Sequence, residues 1–306
     1  MQLIRQKAVD YGNWIAAGWS EISQRYTKQI IRYESYNYLT VYQQFIWYLC
    51  FNKTGRNLKS KNMTTLVVGA SGATGIKLVE ELLKREQQVK IIVRSPENLP
   101  DKIMNHKRLT VISASVLELS GQEMKQYVAD CAAVASCLGH NLSFKGVYGR
   151  PRRLVTEATR RLCTAIKANK PEKSTKFVLM NTVANRNRDL NEPIPFVQKC
   201  IIGLLRLVLP PHTDNEKASD YLRTVIGQKD NSIEWIAVRP SSLINEESIS
   251  EIEVYASPTR SILDDGKISR INVGHFMADL ITNNDIWNKW KGQMPVIYNK
   301  GTAFKV

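Results

Sequence analysis

Residues 64–83 read TTLVVGASGATGIKLVEELL, and no other stretch constrains the fold as strongly. A short apolar run, Leu66–Val68, ends on Gly69; Gly72 and Gly75 follow at three-residue spacing, and an amphipathic helical pattern then begins. Each glycine has a physical task. Gly69 permits a tight turn off a strand, Gly72 lets the backbone approach a pyrophosphate, and Gly75 lets the helix pack against the sheet. The first helical turn offers unpaired N–H groups and the positive end of the helix dipole to phosphates. Gly69, Ser71, Gly72, Ala73, Thr74 and Gly75 form the expected cradle, with Ser71 and Thr74 adding hydroxyl donors. A bare three-glycine string is weak evidence. A strand before it and a helix after it, inside a repeating strand–helix series, make it a dinucleotide-binding motif.

The second clue concerns which dinucleotide. Folds that select NAD place an acidic residue about 20 positions beyond the glycines, where it binds the ribose 2′-hydroxyl. In the segment VKIIVRSPENL that place is taken by Arg94 and Ser95. A guanidinium there forms charge-assisted bonds to a 2′-phosphate, which a carboxylate would repel, so the expected cofactor is NADP(H). An ordinary surface arginine at a strand end is the plainer alternative.

From Met63 onward apolar strand candidates alternate with helical stretches. The strands are Leu66–Val68, Val89–Val93, Leu109–Ile112, Ala133–Cys137, Phe177–Met180, Ile233–Val238 and Pro295–Tyr298; the helices are Thr74–Lys84, Glu118–Tyr127, Arg153–Ala168 and Asn215–Val225. A further helical candidate, Phe196–Leu209, is apolar on nearly all sides. This alternation predicts an α/β protein with a Rossmann-type doubly wound parallel sheet. Residues 63–306 form the expected nucleotide-binding domain, its small substrate lobe mainly 241–306.

Residues 1–62 read differently. They hold twelve of the chain's 25 aromatics, and the weakly charged run 35–51 is interrupted by Gln43 and Gln44 and is too short to span a membrane. The expectation is a helical N-terminal extension, or a stretch added by a translation start assigned too early; a basic-flanked helix lying weakly on a membrane surface is the alternative.

The five cysteines are odd in number and widely spaced, and the four histidines show no metal-pair spacing. These features predict no disulfide framework, no metal and a reducing, cytoplasmic compartment. The net charge of +15 would attract a phosphorylated ligand, but the basic stretch 145–176 carries apolar residues at helical spacing and no nucleic-acid motif. It reads as a helix with one buried stripe and a solvated basic face, and no specific nucleic-acid partner is expected.

Residues 63–300 resemble the atypical short-chain dehydrogenase/reductase group, including the NAD(P)H-binding family similar to biliverdin reductase B/flavin reductase and the NmrA-like redox-sensing regulators. The glycine motif carries the likeness, with SASVLEL, SCLGHN, FVLMNTVAN and EWIAVRPSSL following in order. The resemblance implies that Ser115 and Val116 flank the adenine, although many relatives carry an aspartate at the Ser115 position. It also implies that Cys137, Leu138 and Gly139 line the nicotinamide ribose side, that Thr182 takes the serine or threonine position after strand five, and that Pro240 and Ser241 lie near the carboxamide.

One departure matters. The general acid of standard short-chain reductases belongs to a Tyr-x-x-x-Lys pair, and no tyrosine here has a lysine four residues later. Lys217 and Tyr221 are four apart in inverted order and would share one helix face, making them candidate proton donors; a solvated helix with Asp214 as its N-cap is the plainer alternative. Thr182 is a candidate for orienting substrate, with His140 and His212 in reserve. Arg260, Ser261, Ser269 and Arg270 are polar groups that an anionic substrate could meet, or simple surface pairs. Two functions follow: an NADPH-dependent oxidoreductase acting on a small carbonyl, enone or flavin-like acceptor, or a non-catalytic NADP(H) sensor of the NmrA-like type.

Overall fold

The computed structural model describes residues 63–140, 151–190, 192, 203–204, 206, 209–260 and 266–301. The N-terminal extension and most of the helix expected over 196–209 lie outside the described residues, as does Ser261.

The first six strands are β1 (Thr64–Val68), β2 (Gln88–Val93), β3 (Leu109–Ser113), β4 (Cys131–Ser136), β5 (Thr175–Met180) and β6 (Ile233–Pro240). They are all parallel and lie in the order β3-β2-β1-β4-β5-β6. That is the doubly wound arrangement, whose order reverses between β1 and β4 and leaves a crevice at the carboxyl ends of those strands. Beyond β6 the sheet continues with β10 (Val296–Asn299), parallel to β6, and ends with β8 (Ile252–Tyr255), antiparallel to β10. A separate two-strand parallel sheet pairs β7 (Ser242–Ile244) with β9 (Lys267–Ser269). The C-terminal stretch therefore divides: part forms a small lobe, and part extends the main sheet.

Helices cover both faces, so the strands read as near-continuous apolar runs. In β1, Val67 faces one core, while Leu66 and Val68 face the other. On the first face lie α1 (Ala73–Lys84), the short α2 (Asp101–Met104), α6 (Arg270–Thr282) and α7 (Asn284–Trp290). Trp287 and Trp290 are buried there. Helix α6 can press against α1 because Gly274 has no Cβ; one added there would stand 2.8 Å from the backbone nitrogen of Leu78. On the opposite face lie α3 (Gly121–Val128), α4 (Leu154–Asn169) and α5 (Pro210–Tyr221).

Two helix starts differ from the sequence expectation for local reasons. Helix α3 begins at Gly121, not near Glu118, because Ser120 forms a capping box: its hydroxyl accepts from the Glu123 amide at 3.2 Å, and the Glu123 carboxylate accepts from the Ser120 amide at 2.7 Å. Helix α5 begins five residues before Asn215, with Pro210 and Pro211 in its first turn, where a missing N–H costs nothing. It then loosens into one π-helical turn, Leu222–Ile226, and stops at Gly227. Asp214 is thus inside α5 and is not its N-cap.

The basic face of α4 is only partly solvated. Arg161 donates to the carbonyls of Leu117 and Leu119, Arg160 lies 5.6 Å from the Tyr221 ring centre, and Lys167 pairs with Asp230 at 2.6 Å. The first of these contacts fixes the segment that follows β3.

Candidate functional site

The loop between β1 and α1 passes against the end of β4. Gly69 has φ +74°, and a Cβ there would stand 2.6 Å from the carbonyl carbon of Cys137 and 2.7 Å from the Leu138 nitrogen. Gly75 is tighter still, since its Cβ would meet the Gly69 carbonyl oxygen at 2.1 Å. The third glycine packs the helix against the turn itself, closer than the sheet contact expected from sequence. Gly72 is the N-cap, in extended backbone, and its amide donates to the Gly69 carbonyl at 3.1 Å. No side chain caps α1, and no acidic residue occupies its first turn. An uncapped helix start with the dipole uncompensated is a site prepared for an external anion. Ser71, Gly72 and Ala73 are exposed there, whereas Thr74 and Gly75 are buried.

A cavity of about 420 Å³ opens beside this turn, at the carboxyl ends of β1, β2, β3 and β4. It is lined by Gly69, Ser71, Arg94, Ser115, Val116 and Leu138, all singled out from the sequence, and also by Pro151 and Leu154 at the start of α4. Arg94 is exposed at the end of β2. Ser95 does not line the cavity; its carbonyl accepts from Asn98 in the following turn. Cys137 does not line the cavity either: its carbonyl group packs against Gly69, and its side chain is buried in the first core, where burial pushes the thiol up to about 12. Gly139 is exposed.

On the other side of β4, Thr182 and Pro240 come together. Thr182 follows β5, its amide bonded to Asn181 Oδ1 at 2.8 Å, and the next amide, that of Val183, donates to the Pro240 carbonyl at 3.0 Å. Two buried polar networks hold these segments, and sequence reasoning missed both. Arg239, fully buried, uses all its guanidinium N–H groups: Nε donates to Met294, Nη1 to the Asn185 carbonyl and Glu192, and Nη2 to Glu192 and the Ala256 carbonyl, at 2.7–3.1 Å. Asn181 Nδ2 donates to the Asn215 carbonyl at 3.0 Å, and Asn185 Nδ2 donates to Asn181 Oδ1 at 3.2 Å, tying the β5 exit to α5. The only sequence signal for the first was the arginine beside Pro240 in EWIAVRPSSL.

The structure does not bring Lys217 and Tyr221 to this cavity. Lys217 is exposed on α5. Tyr221 turns toward the middle of α4, meeting Arg160 and Thr164, and burial raises its phenol above the ordinary value. Thr164 is ten residues beyond cavity-lining Leu154, about 15 Å along the helix axis. His140 and Asp214, by contrast, meet at the N-terminus of α4. His140 Nε2 lies 2.9 Å from Asp214 Oδ2, and the same carboxylate accepts from the amides of Val155 at 2.8 Å and Thr156 at 3.0 Å. Burial alone would raise this carboxyl, but the bonds from His140, Thr156 and Val155 hold it below the usual carboxylate range. His212 and Glu216 lie on the same helix. Burial opposes ionisation of Glu216, yet His212 and Arg206 outweigh it and hold the group at about 2. His212 Nε2 is 3.6 Å from the carboxylate, beyond bonding range, so the hydrogen bonds come from Arg206. Of the polar groups noted in the C-terminal stretch, Arg270 bonds Asn245 at 2.8 Å and Ser269 caps α6.

A strand, a glycine turn and an uncapped helix facing a cavity at the reversal of a parallel sheet define a nucleotide-binding Rossmann domain. The chain belongs to the NAD(P)H-binding family, whose sequence model matches residues 69–284. No curated protein matches the sequence. Among solved structures, it is similar to a wide-type short-chain dehydrogenase/reductase from Veillonella parvula in complex with NADP, with TM-score 0.57 and 16% identity over 79% of this chain and 97% of that one. It is also similar to ChuY, an anaerobillin reductase from Escherichia coli O157:H7, with TM-score 0.55 and 14% identity over 78% and 98% of the two chains. A candidate NADH-flavin reductase from Streptococcus pneumoniae has TM-score 0.52 and 18% identity over 78% and 100%. At these identities the likeness is one of fold.

Proposed function

We propose that this chain is an NADP(H)-dependent oxidoreductase of the atypical short-chain type, reducing a small carbonyl, enone or flavin-like acceptor. The observation that carries this reading is the uncapped, glycine-lined start of α1, with Arg94 lining the same cavity. The N–H groups of the first helical turn and Ser71 would hold the pyrophosphate, with Gly72 giving it room. Arg94 would pair with a 2′-phosphate, Ser115 and Val116 would border the adenine, and Leu138 and Gly139 the ribose that follows. Bound there, the cofactor would supply a hydride. The chain's own contribution is to position the acceptor: Thr182 and Pro240, braced by Arg239 and the asparagine network, would form the wall against which it rests. The reductase descriptions of structural neighbours favour the same chemistry. Residues 63–306 would be the working unit, in the cytoplasm. The three described cysteines, all free and buried, favour that compartment. Among the described residues no helix is long and apolar enough to cross a membrane.

The test is NADPH oxidation across a panel of carbonyl, enone and flavin acceptors, with NADH in parallel. Tight NADPH binding without turnover on any acceptor would refute it. That outcome would favour the second reading, an NADP(H) sensor, for which the specific support is the lack of a Tyr-x-x-x-Lys pair.

A further inference from the structure

We propose that Glu118 accepts a hydrogen bond from the exocyclic amine of the cofactor's adenine, and so selects adenine over a base with oxygen at that position; the inference rests on the NADP(H)-binding reading above. Three observations carry it. First, Glu118 lines the same cavity as Arg94, Ser115 and Val116, and it is the one carboxylate among the lining residues. Second, that carboxylate is not engaged elsewhere. It is exposed and makes no ion pair or side-chain hydrogen bond among the described residues. Helix α3 needs nothing from it, because Ser120 and Glu123 already close that helix's start. Third, the backbone that carries it is fixed. The amides of Glu118 and Leu119 donate to the Ser115 carbonyl at 2.9 and 3.2 Å, and Arg161 holds the carbonyls of Leu117 and Leu119 on either side. Val116 and Leu119 are buried in the second core. A segment pinned at so many points presents its one free side chain from a set position, which lowers the ordering cost of binding.

The chemistry of the lining names the group that Glu118 would meet. Ile92, Ala114, Leu138 and Leu154 make much of the cavity wall apolar, which suits a flat ring. Its two charges stand at the ends of different strands, Arg94 after β2 and Glu118 beyond β3. An ionised carboxylate only accepts hydrogen bonds. Phosphate oxygens also only accept, so the pyrophosphate and the 2′-phosphate offer it nothing but repulsion. In the adenosine half of the cofactor the N–H donor is the exocyclic amine, and the remaining donor is a ribose hydroxyl. Glu118 shares its turn with Ser115 and Val116, which border the base in the reading above, and this favours the amine. Hypoxanthine carries a carbonyl oxygen in place of that amine, so there the carboxylate would face an acceptor and the bond would be lost.

The experiment is a fluorescence titration of the full chain with NADPH, with its hypoxanthine counterpart deamino-NADPH, and with NADH. A hydrogen bond to a charged partner is worth about tenfold or more in affinity. The wild type should therefore bind NADPH about tenfold or more tighter than deamino-NADPH. Glu118→Gln offers an amide that can turn to accept or donate, and it should bind the two within about threefold of each other. Its preference for NADPH over NADH should stay within about twofold of wild type. Arg94→Ala should do the reverse, losing the phosphate preference and keeping the preference for adenine. Because Glu118 is exposed, the Gln variant should melt with the wild type when no nucleotide is present. Equal binding of NADPH and deamino-NADPH by the wild type overturns the proposal without recourse to any variant. So does a Glu118→Gln protein that keeps the preference for adenine, that weakens equally toward both bases, as a bond to the ribose would require, or that binds NADPH more tightly. A wild type that binds none of the three nucleotides overturns the NADP(H) reading itself, and this assignment falls with it.

Discussion

Substitution at the three glycines should separate folding from cofactor binding. Gly69→Ala forces an L side chain into φ +74° and sets its Cβ 2.6–2.7 Å from three backbone atoms at the β4 exit. The left-handed backbone costs about 1–2 kcal/mol and the overpacking about 1–3 kcal/mol, together about 2–5 kcal/mol. In a domain of this size each kcal/mol moves Tm by roughly 2–4 °C, so a fall of about 4–20 °C is expected. Gly75→Ala, with its Cβ 2.1 Å from the Gly69 carbonyl oxygen, should behave likewise. Gly72 differs. Its φ is −75°, and its Cβ would meet only the Gly69 oxygen, at 3.2 Å. Gly72→Asp should therefore fold, and the new carboxylate would cap α1 and complement its dipole. The same carboxylate would repel the pyrophosphate by about 3 kcal/mol at ~5 Å and an effective dielectric of ~20, a loss of affinity of about a hundredfold. Thermal melts without nucleotide and fluorescence titration with NADPH would measure both effects. A Gly69→Ala protein that melts with the wild type, or a Gly72→Asp protein that binds NADPH unchanged, would refute the reasoning.

Three further outcomes are expected. Arg94→Ala should weaken NADPH by about ten- to a hundredfold and leave NADH unchanged, because only the former carries the group the guanidinium would bond; parallel titrations check it. Arg239→Ala strands the buried Glu192 carboxylate and three carbonyls and should cost about 3–5 kcal/mol, read from urea unfolding. Glu216 is held at about 2, below its ordinary 4.5, so the stability it contributes is complete above about pH 5 and disappears as pH falls toward 2. The gap between wild type and Glu216→Gln in urea midpoint should therefore close across that window, and a gap constant with pH would count against the Arg206 contact.

What the sequence disclosed was governed by local physics. The glycine turn, the strand before it and the helix after it lie within about twenty residues, and each residue's role follows from backbone sterics. Arg94 was legible as a residue at the cavity because a parallel sheet repeats its strand ends at predictable places, whereas Ser115, which also lines it, came from the family resemblance. The polar segment PPHTDNEKASDY was not legible: it reads as a solvated helix, yet His212, Asp214, Glu216 and Ser219 are buried. Their partners, His140, the start of α4 and Arg206, lie elsewhere along the chain, and hydrophobic periodicity carries no mark of a polar residue satisfied by a distant one. Lys217 and Tyr221 show the same limit in reverse. Their spacing correctly puts them on one helix, but only tertiary packing decides that Tyr221 turns to Arg160 and Thr164.

Asp214 has a mechanical consequence. Its carboxylate closes the end of a helix other than its own, so separating α4 from α5 would leave an ionised group in a dry interior with two amides unpaired, a penalty of several kcal/mol. The two helices must travel as one rigid piece, and any rearrangement that admits a ligand has to hinge somewhere other than their junction.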